Sequence, residues 1–258
     1  MTFLKETQKN RYARHIALAE VGVDGQAKLL DSRVLVVGAG GLGSPVLFYL
    51  AAAGVGTIGV VDFDKVELSN LQRQIIHSNE DLGTAKVMSA REAVFALNPE
   101  VTVETHRMRL TNQNAADLIG RFDLVVDGSD NFTTRYLLND ACFFLKKPLI
   151  SAALLRFEGQ LSTFKPYISG DYQPCYRCLF PSPPAPGTVP RCEQAGIFGA
   201  IAGVMGSLQA TEVIKELLGI GEGLSGKLVI YNGLDGRFTK LKVKRELECQ
   251  LCGENPTI

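Results

Sequence analysis

The chain has 258 residues, 46% of them hydrophobic, and its 27 basic side chains are balanced by 27 acidic ones. That is enough apolar length for a well-buried core, and it excludes a disordered chain. Zero net charge excludes a protein that holds nucleic acid or an anionic membrane through a field of one sign.

Residues 1–10 lack the apolar core of a signal peptide. The best apolar stretch, Val46 to Val61, is broken by Gly54, Gly56 and Gly59, so no membrane span is expected and a cytoplasmic location is. Residues 9–31 read as two short helices, with Gly22-Val23-Asp24-Gly25 as the turn between them. The branched apolar run Val34-Leu35-Val36-Val37 is a buried strand that ends in the loop Gly38-Ala39-Gly40-Gly41-Leu42-Gly43, and a helix follows from Leu42 to Ala53. A second strand, Thr57 to Val61, ends at Asp62.

The alternation continues with a helix over 85–97, a strand over 101–105, a helix over 114–119, a strand over 122–126 and a helix over 131–145. This is the βαβ winding of a Rossmann-like α/β fold. The strands Pro148 to Ala153 and Gly159 to Phe164 lie too close for a helical crossover, so the sheet should turn antiparallel there and be mixed. Pro181, Pro183, Pro184, Pro186 and Pro190 predict an extended crossing. A long helix of small residues then spans 198–218, and strands at 228–231 and 237–243 lead to the final cysteines. The expected organisation is one domain in three parts: N-terminal helices over 1–31, a nucleotide-binding half over 32–150, and an antiparallel extension over 151–258 carrying the crossover loop and a metal site.

Glycines 38, 40 and 43 let the backbone turn tightly off the strand and approach a phosphate at the positive end of the next helix. Asp62 stands about 20 residues beyond them, where an acidic side chain grips ribose hydroxyls, with Asp64 as a competitor for that role. The segment Ser69-Asn70-Leu71-Gln72-Arg73-Gln74, followed by Lys86, supplies cations and amides that a dehydrogenase does not need and a nucleoside triphosphate does. Asp127-Gly128-Ser129-Asp130-Asn131 falls at the carboxyl edge of the sheet. There Asp130 is the candidate Mg²⁺ ligand, and Asp127 is the structural one, capping the next helix or bonding loop amides.

Cys175, Cys178, Cys249 and Cys252 form two Cys-x-x-Cys pairs roughly 70 residues apart. Together they fit a closed tetrahedral Zn²⁺ site, structural because no coordination position stays open; a redox motif is the weaker reading. Of the remaining cysteines, Cys142 reads as a core residue, whereas Cys192, beside Arg191, is either a nucleophile or a loop cysteine without a role.

With the Arg11-Tyr12-Ala13-Arg14-His15 stretch added to these motifs, the chain resembles, over nearly its whole length, the MoeB/ThiF family of adenylyltransferases, relatives of ubiquitin-activating enzymes. The resemblance implies a single ubiquitin-activating-type adenylation domain. It would use Mg·ATP to adenylate the C-terminal Gly-Gly carboxylate of a small ubiquitin-like sulfur-carrier protein in molybdopterin, thiamine or tRNA-thiolation pathways. It further implies that Gly41 meets the nucleotide through its backbone, Asp62 the ribose, and Asn70, Arg73 and Lys86 the phosphates, while Asp130 organises magnesium and Arg14 crosses a homodimer into the neighbour's site. Cys192 matches a cysteine used in covalent sulfur transfer in some branches only. The chain stops shortly after Cys252, so sulfur is expected from a separate donor, a cysteine desulfurase or sulfurtransferase. The alternatives are a nicotinamide-dependent oxidoreductase using the glycine loop and a non-catalytic scaffold for a ubiquitin-like partner.

Overall fold

Alternation of two apolar faces builds the sheet. The computed structural model describes residues 4–170, 173–185, 188 and 195–258. In it, β1 (Arg33–Val37) pairs in parallel with β2 (Thr57–Val61) on one side and β4 (Leu124–Asp127) on the other, and β3 (Thr102–His106) pairs with β2. Successive strand residues point to opposite faces. Val34 and Val36 accordingly enter one core with Ile58, Val60 and Val126, while Leu35 and Val37 enter the other with Val61, Phe122 and Val125. Both faces are covered, as a parallel sheet requires.

The helices divide between the faces. On one side lie α3 (Gly22–Asp31), α4 (Gly43–Ala53), α5 (Lys86–Leu97) and the 20-residue α9 (Gly199–Leu218). On the other lie α6 (Ala115–Gly120), α7 (Phe132–Phe144) and the single turn α8 (Tyr176–Leu179). The strand β5 (Leu149–Leu155) continues the parallel set, and the mixed sheet then turns antiparallel through β6 (Glu158–Phe164), β7 (Lys227–Asn232) and β8 (Arg237–Lys242). The eight strands run in the order β3-β2-β1-β4-β5-β6-β7-β8. Lys240 and Lys242 on β8 blunt that edge against pairing with another strand.

The long helix is rich in small residues because it presses on the start of α4. A Cβ at Gly206 would sit 2.3 Å from Pro45 and 2.5 Å from the Leu42 carbonyl, so the backbone of α9 braces the glycine loop directly.

Two expectations need correction. The Gly22-Val23-Asp24-Gly25 segment is not a turn between helices but the first turn of α3, and the Gly25 amide already donates to the Val21 carbonyl at 2.8 Å. Packing decides this: Leu29 and Gln26 are buried, and Gly25 lies against Leu218 of α9, so tertiary contact overrides the poor helix propensity of glycine. The N-terminal segment carries two shorter helices instead, α1 (Glu6–Arg11) and α2 (Ala13–Ile16), joined at buried Tyr12. Pro186, Pro190, Arg191 and Cys192 lie outside the described residues. No helix among the described residues is long and apolar enough to cross a membrane.

Candidate nucleotide site and metal centre

Chain order reverses between β1 and β4, and ligands of wound sheets enter the crevice beyond the carboxyl ends of such strands. Register brings the motifs to that point. Val37 pairs with Val61 and with Asp127, so Gly38, Asp62 and Gly128 emerge side by side. Gly38 has φ +98°, which suits only glycine, and a Cβ at Gly43 would lie 1.9 Å from the Gly38 carbonyl, so the loop closes too tightly for a side chain there.

Asp62 anchors this loop. Its Oδ2 accepts from the Ala39 amide at 2.9 Å, and its Oδ1 accepts from the Asp64 amide at 2.9 Å. Each carboxylate oxygen keeps a second lone pair for a ligand hydroxyl. Asp64 has a protein partner: its Oδ2 lies 3.2 Å from Lys86 Nζ, and its carbonyl accepts from the Lys86 amide. Lys86, the first residue of α5, is buried and Asp64 half-exposed, so the carboxylate holds the ammonium at the crevice wall.

A 3-10 turn, Leu68–Asn70, carries the polar segment past the loop. Asn70 is buried, accepting from the Glu67 amide and donating to the Ser69 hydroxyl, each at 3.4 Å. Arg73 donates to the Ser69 carbonyl at 3.0 Å, and its stem lies beside Gly41, where an added Cβ would be 3.5 Å from Arg73 Cγ. On the β4 side, exposed Asp130 has among the described residues only the Asn131 side-chain amide on its carboxylate, at 3.5 Å, leaving oxygens open to a hard cation such as Mg²⁺. Asn131 is the cap of α7, accepting from the Thr134 amide at 2.9 Å, so the capping option for Asp127 falls away.

Asp127 is fully buried and organises the floor. It accepts from the Ser129 amide at 3.0 Å and hydroxyl at 2.6 Å and from the Ser151 hydroxyl at 2.7 Å, and it pairs with Arg135 at 3.3 Å. Arg135 in turn donates to the Ser129 carbonyl at 2.9 Å and the Ala152 carbonyl at 3.2 Å. Sequence reasoning passed over Arg135 and also His77, although an arginine on the face of α7 shared with Leu138 and Cys142 was a readable sign of a buried ion pair. His77 is buried beneath the glycine loop, between the Ala39 carbonyl at 2.9 Å from Nε2 and the Ser89 hydroxyl at 2.7 Å from Nδ1. Burial lowers its pKa, which keeps the ring neutral at pH 7.

Arg14 does not join this site. Tyr12 packs under Gly54 at the far end of α4, and its hydroxyl accepts from Asn98, just past the end of α5. Arg14 is exposed there, without a partner among the described residues, about one helix length away: 11 residues of α4 rise roughly 16 Å.

The four cysteines do meet. Their sulfurs lie within 4.8 Å of one another. Cys175–Cys249 is 3.5 Å, Cys178–Cys252 3.4 Å and Cys175–Cys178 3.9 Å, close to the edge of about 3.8 Å for a tetrahedron of zinc–sulfur bonds of about 2.3 Å. All are free thiols, so disulfides do not account for the cluster. Hydrogen bonding to Cys178 and Cys252, followed by burial, pushes the Cys175 thiol up. A divalent cation is what would let four such groups ionise together. The donor set fits Zn²⁺, held by Cys175 and Cys178 at α8 and Cys249 and Cys252 in the tail.

A glycine loop at the switch point of a wound sheet, flanked by an arginine and a buried lysine, defines a nucleotide-binding α/β protein, here with a cysteine cluster tying its last residues to α8. The chain belongs to the ThiF family, whose pattern matches residues 12–251. It is 51% identical to the sulfur carrier protein adenylyltransferase of Thermus thermophilus, covering all of this chain and 95% of that one. It is 49% identical to the adenylyltransferase and sulfurtransferase MOCS3 of Culex quinquefasciatus, covering all of this chain but only 58% of that longer protein. Among solved structures, E. coli MccB with ATP is similar at TM-score 0.79 and 25% identity, over 96% of this chain and 75% of that one. By class the chain is an adenylyltransferase, and the nicotinamide-dependent alternative finds no support among these relatives.

Proposed function

We propose that this chain joins the C-terminal carboxylate of a small ubiquitin-like sulfur-carrier protein ending in Gly-Gly to AMP, using Mg·ATP and releasing pyrophosphate. The observation that carries the reading is the convergence of the Gly38–Gly43 loop, Asp62, Asn70, Arg73, Lys86 and Asp130 on one sheet edge in a chain half identical to a named sulfur carrier protein adenylyltransferase.

The chemistry needs little from the protein beyond alignment and charge. A C-terminal carboxylate has a reference pKa of roughly 3.3–3.7, so it is already anionic at neutral pH and no general base is required. One carboxylate oxygen bonds to the α-phosphorus, the bond from that phosphorus to the bridging oxygen breaks, and pyrophosphate leaves with the electron pair. Lys86 and Arg73 offset the charge growing on the leaving group, the glycine-loop amides hold phosphate oxygens, and Asp62 holds the ribose. Asp130 is the residue to hold Mg²⁺, which when bound neutralises phosphate charge.

Arg14 completes the site from a second copy. It is exposed, unpaired among the described residues and remote from its own crevice, which suits a role in a homodimer partner's site. The terminal sulfur of a persulfide on a separate donor, a cysteine desulfurase or sulfurtransferase, then attacks the adenylate carbonyl and AMP leaves. A thiol, with Cys192 as the candidate covalent residue, cleaves the resulting acyl disulfide, taking the donor's sulfur into a new disulfide and releasing the thiocarboxylate. Exchange of labelled pyrophosphate into ATP tests the reading. It should require magnesium and a carrier with its Gly-Gly tail, and its absence with every such carrier would overturn it.

A further inference from the structure

The glycine loop is held on two sides, by Asp62 at the crevice and by His77 buried beneath it. The Ala39 amide is taken by Asp62 and the Ala39 carbonyl by His77. A carbonyl can only accept, so His77 must carry its proton on Nε2, and Nδ1 then accepts from the Ser89 hydroxyl. Ser89 stands one turn beyond Lys86 on α5, so the ring ties the helix that begins at Lys86 to the loop.

Direction is what this bond controls. The Ala39 carbonyl and the Gly40 N–H belong to one planar trans peptide and therefore point opposite ways. With the carbonyl drawn inward to buried His77, the Gly40 N–H faces outward. Gly40 and Gly41 are partly exposed, and neither amide donates to a protein group among the described residues. They are the donors that an anion in the crevice would meet.

We propose that His77 is a positioning residue of the nucleotide cradle: by donating from Nε2 to the Ala39 carbonyl it turns the Gly40 amide toward the phosphates of ATP. This rests on the adenylation reading above. Because the amide serves bound substrate and transition state alike, the effect belongs in ATP affinity rather than in turnover at saturation.

Two conservative variants separate this from a packing role. The glutamine introduced by His77→Gln carries its amide nitrogen near the reach of the imidazole Nε2, whereas the shorter asparagine introduced by His77→Asn extends only as far as Nδ1. Mg·ATP binding is measured calorimetrically on the full chain, with pyrophosphate exchange measured alongside it. His77→Gln should stay within about threefold of wild type in affinity, and His77→Asn should weaken it at least about tenfold, with exchange at saturating ATP nearly unchanged. Equal affinity in His77→Asn and wild type would overturn the proposal, as would His77→Gln binding as weakly as His77→Asn. Should the wild-type chain itself bind no Mg·ATP, the adenylation reading falls and takes this inference with it, an outcome distinct from either variant result.

Discussion

The mouth of the nucleotide crevice and the cysteine cluster are built on opposite terms. At the mouth, Asp130 and the Gly40 and Gly41 amides are exposed or partly exposed, with their bonding capacity largely unused among the described residues. In the cluster, Cys175, Cys249 and Cys252 are buried and turned on one another. A ligand site must keep groups unmet and accessible, whereas a structural centre gains by leaving nothing unmet. Damage at the first should therefore appear in activity, and damage at the second in stability.

The largest effect is expected at the cluster. Structural zinc binding runs to about 10–16 kcal/mol in small peptides, so Cys249→Ser should strip the metal and release the tail from α8, read as zinc content and protease sensitivity. Full zinc content in that variant would break the comparison. Asp127→Asn sharpens it, because this residue lies under the crevice yet is as buried as the cluster. Leaving Arg135 without its counter-charge should cost about 3–5 kcal/mol in denaturant unfolding and also loosen the Ser129–Asp130 loop.

Lys86→Ala should behave as a crevice change, lowering pyrophosphate exchange by about 10²–10³-fold while folding survives. Mixing it with Arg14→Ala then tests the cross-subunit reading. Random reassociation gives half heterodimers, each with one intact site, so about a quarter of wild-type exchange should return; none returning would place Arg14 outside the partner's site.

The smallest effect is a pH slope. Burial lowers the pKa of both His77 and His106 in the folded chain, whereas an unfolded histidine titrates near 6.5. Below about pH 6.5 the unfolded state thus binds more protons, and stability falls as pH falls toward the folded values. The thermal midpoint should drop between about pH 7 and pH 5.5, less so in His77→Gln.

Much of this was legible in the linear chain. The run Val34 to Val37, the glycine loop and the terminal Asp62 announce a strand, a turn and a ligand edge, because side-chain alternation and turn stereochemistry act over a few residues. The antiparallel turn after β5 was likewise readable from the short gap before β6. Gly22-Val23-Asp24-Gly25 reads as a turn yet folds as helix, because propensity is weak beside the burial of Leu29 and the contact with α9. His77 was missed because nothing in its neighbours states that the Ala39 carbonyl waits for it, and although the α7 face of Arg135 pointed to a buried ion pair, its bonds to the Ser129 and Ala152 carbonyls are set by packing alone.

Spacing within short segments was enough to set the winding, the loop at the end of β1, and the chemistry offered by each pair of cysteines. It took the folded chain to close the two cysteine pairs on one another, to leave Arg14 a helix length from its own crevice, and to seat His77 under the loop. Those arrangements depend on how elements far apart in the chain pack together, and burial and long-range pairing are properties of that packing, not of any local stretch.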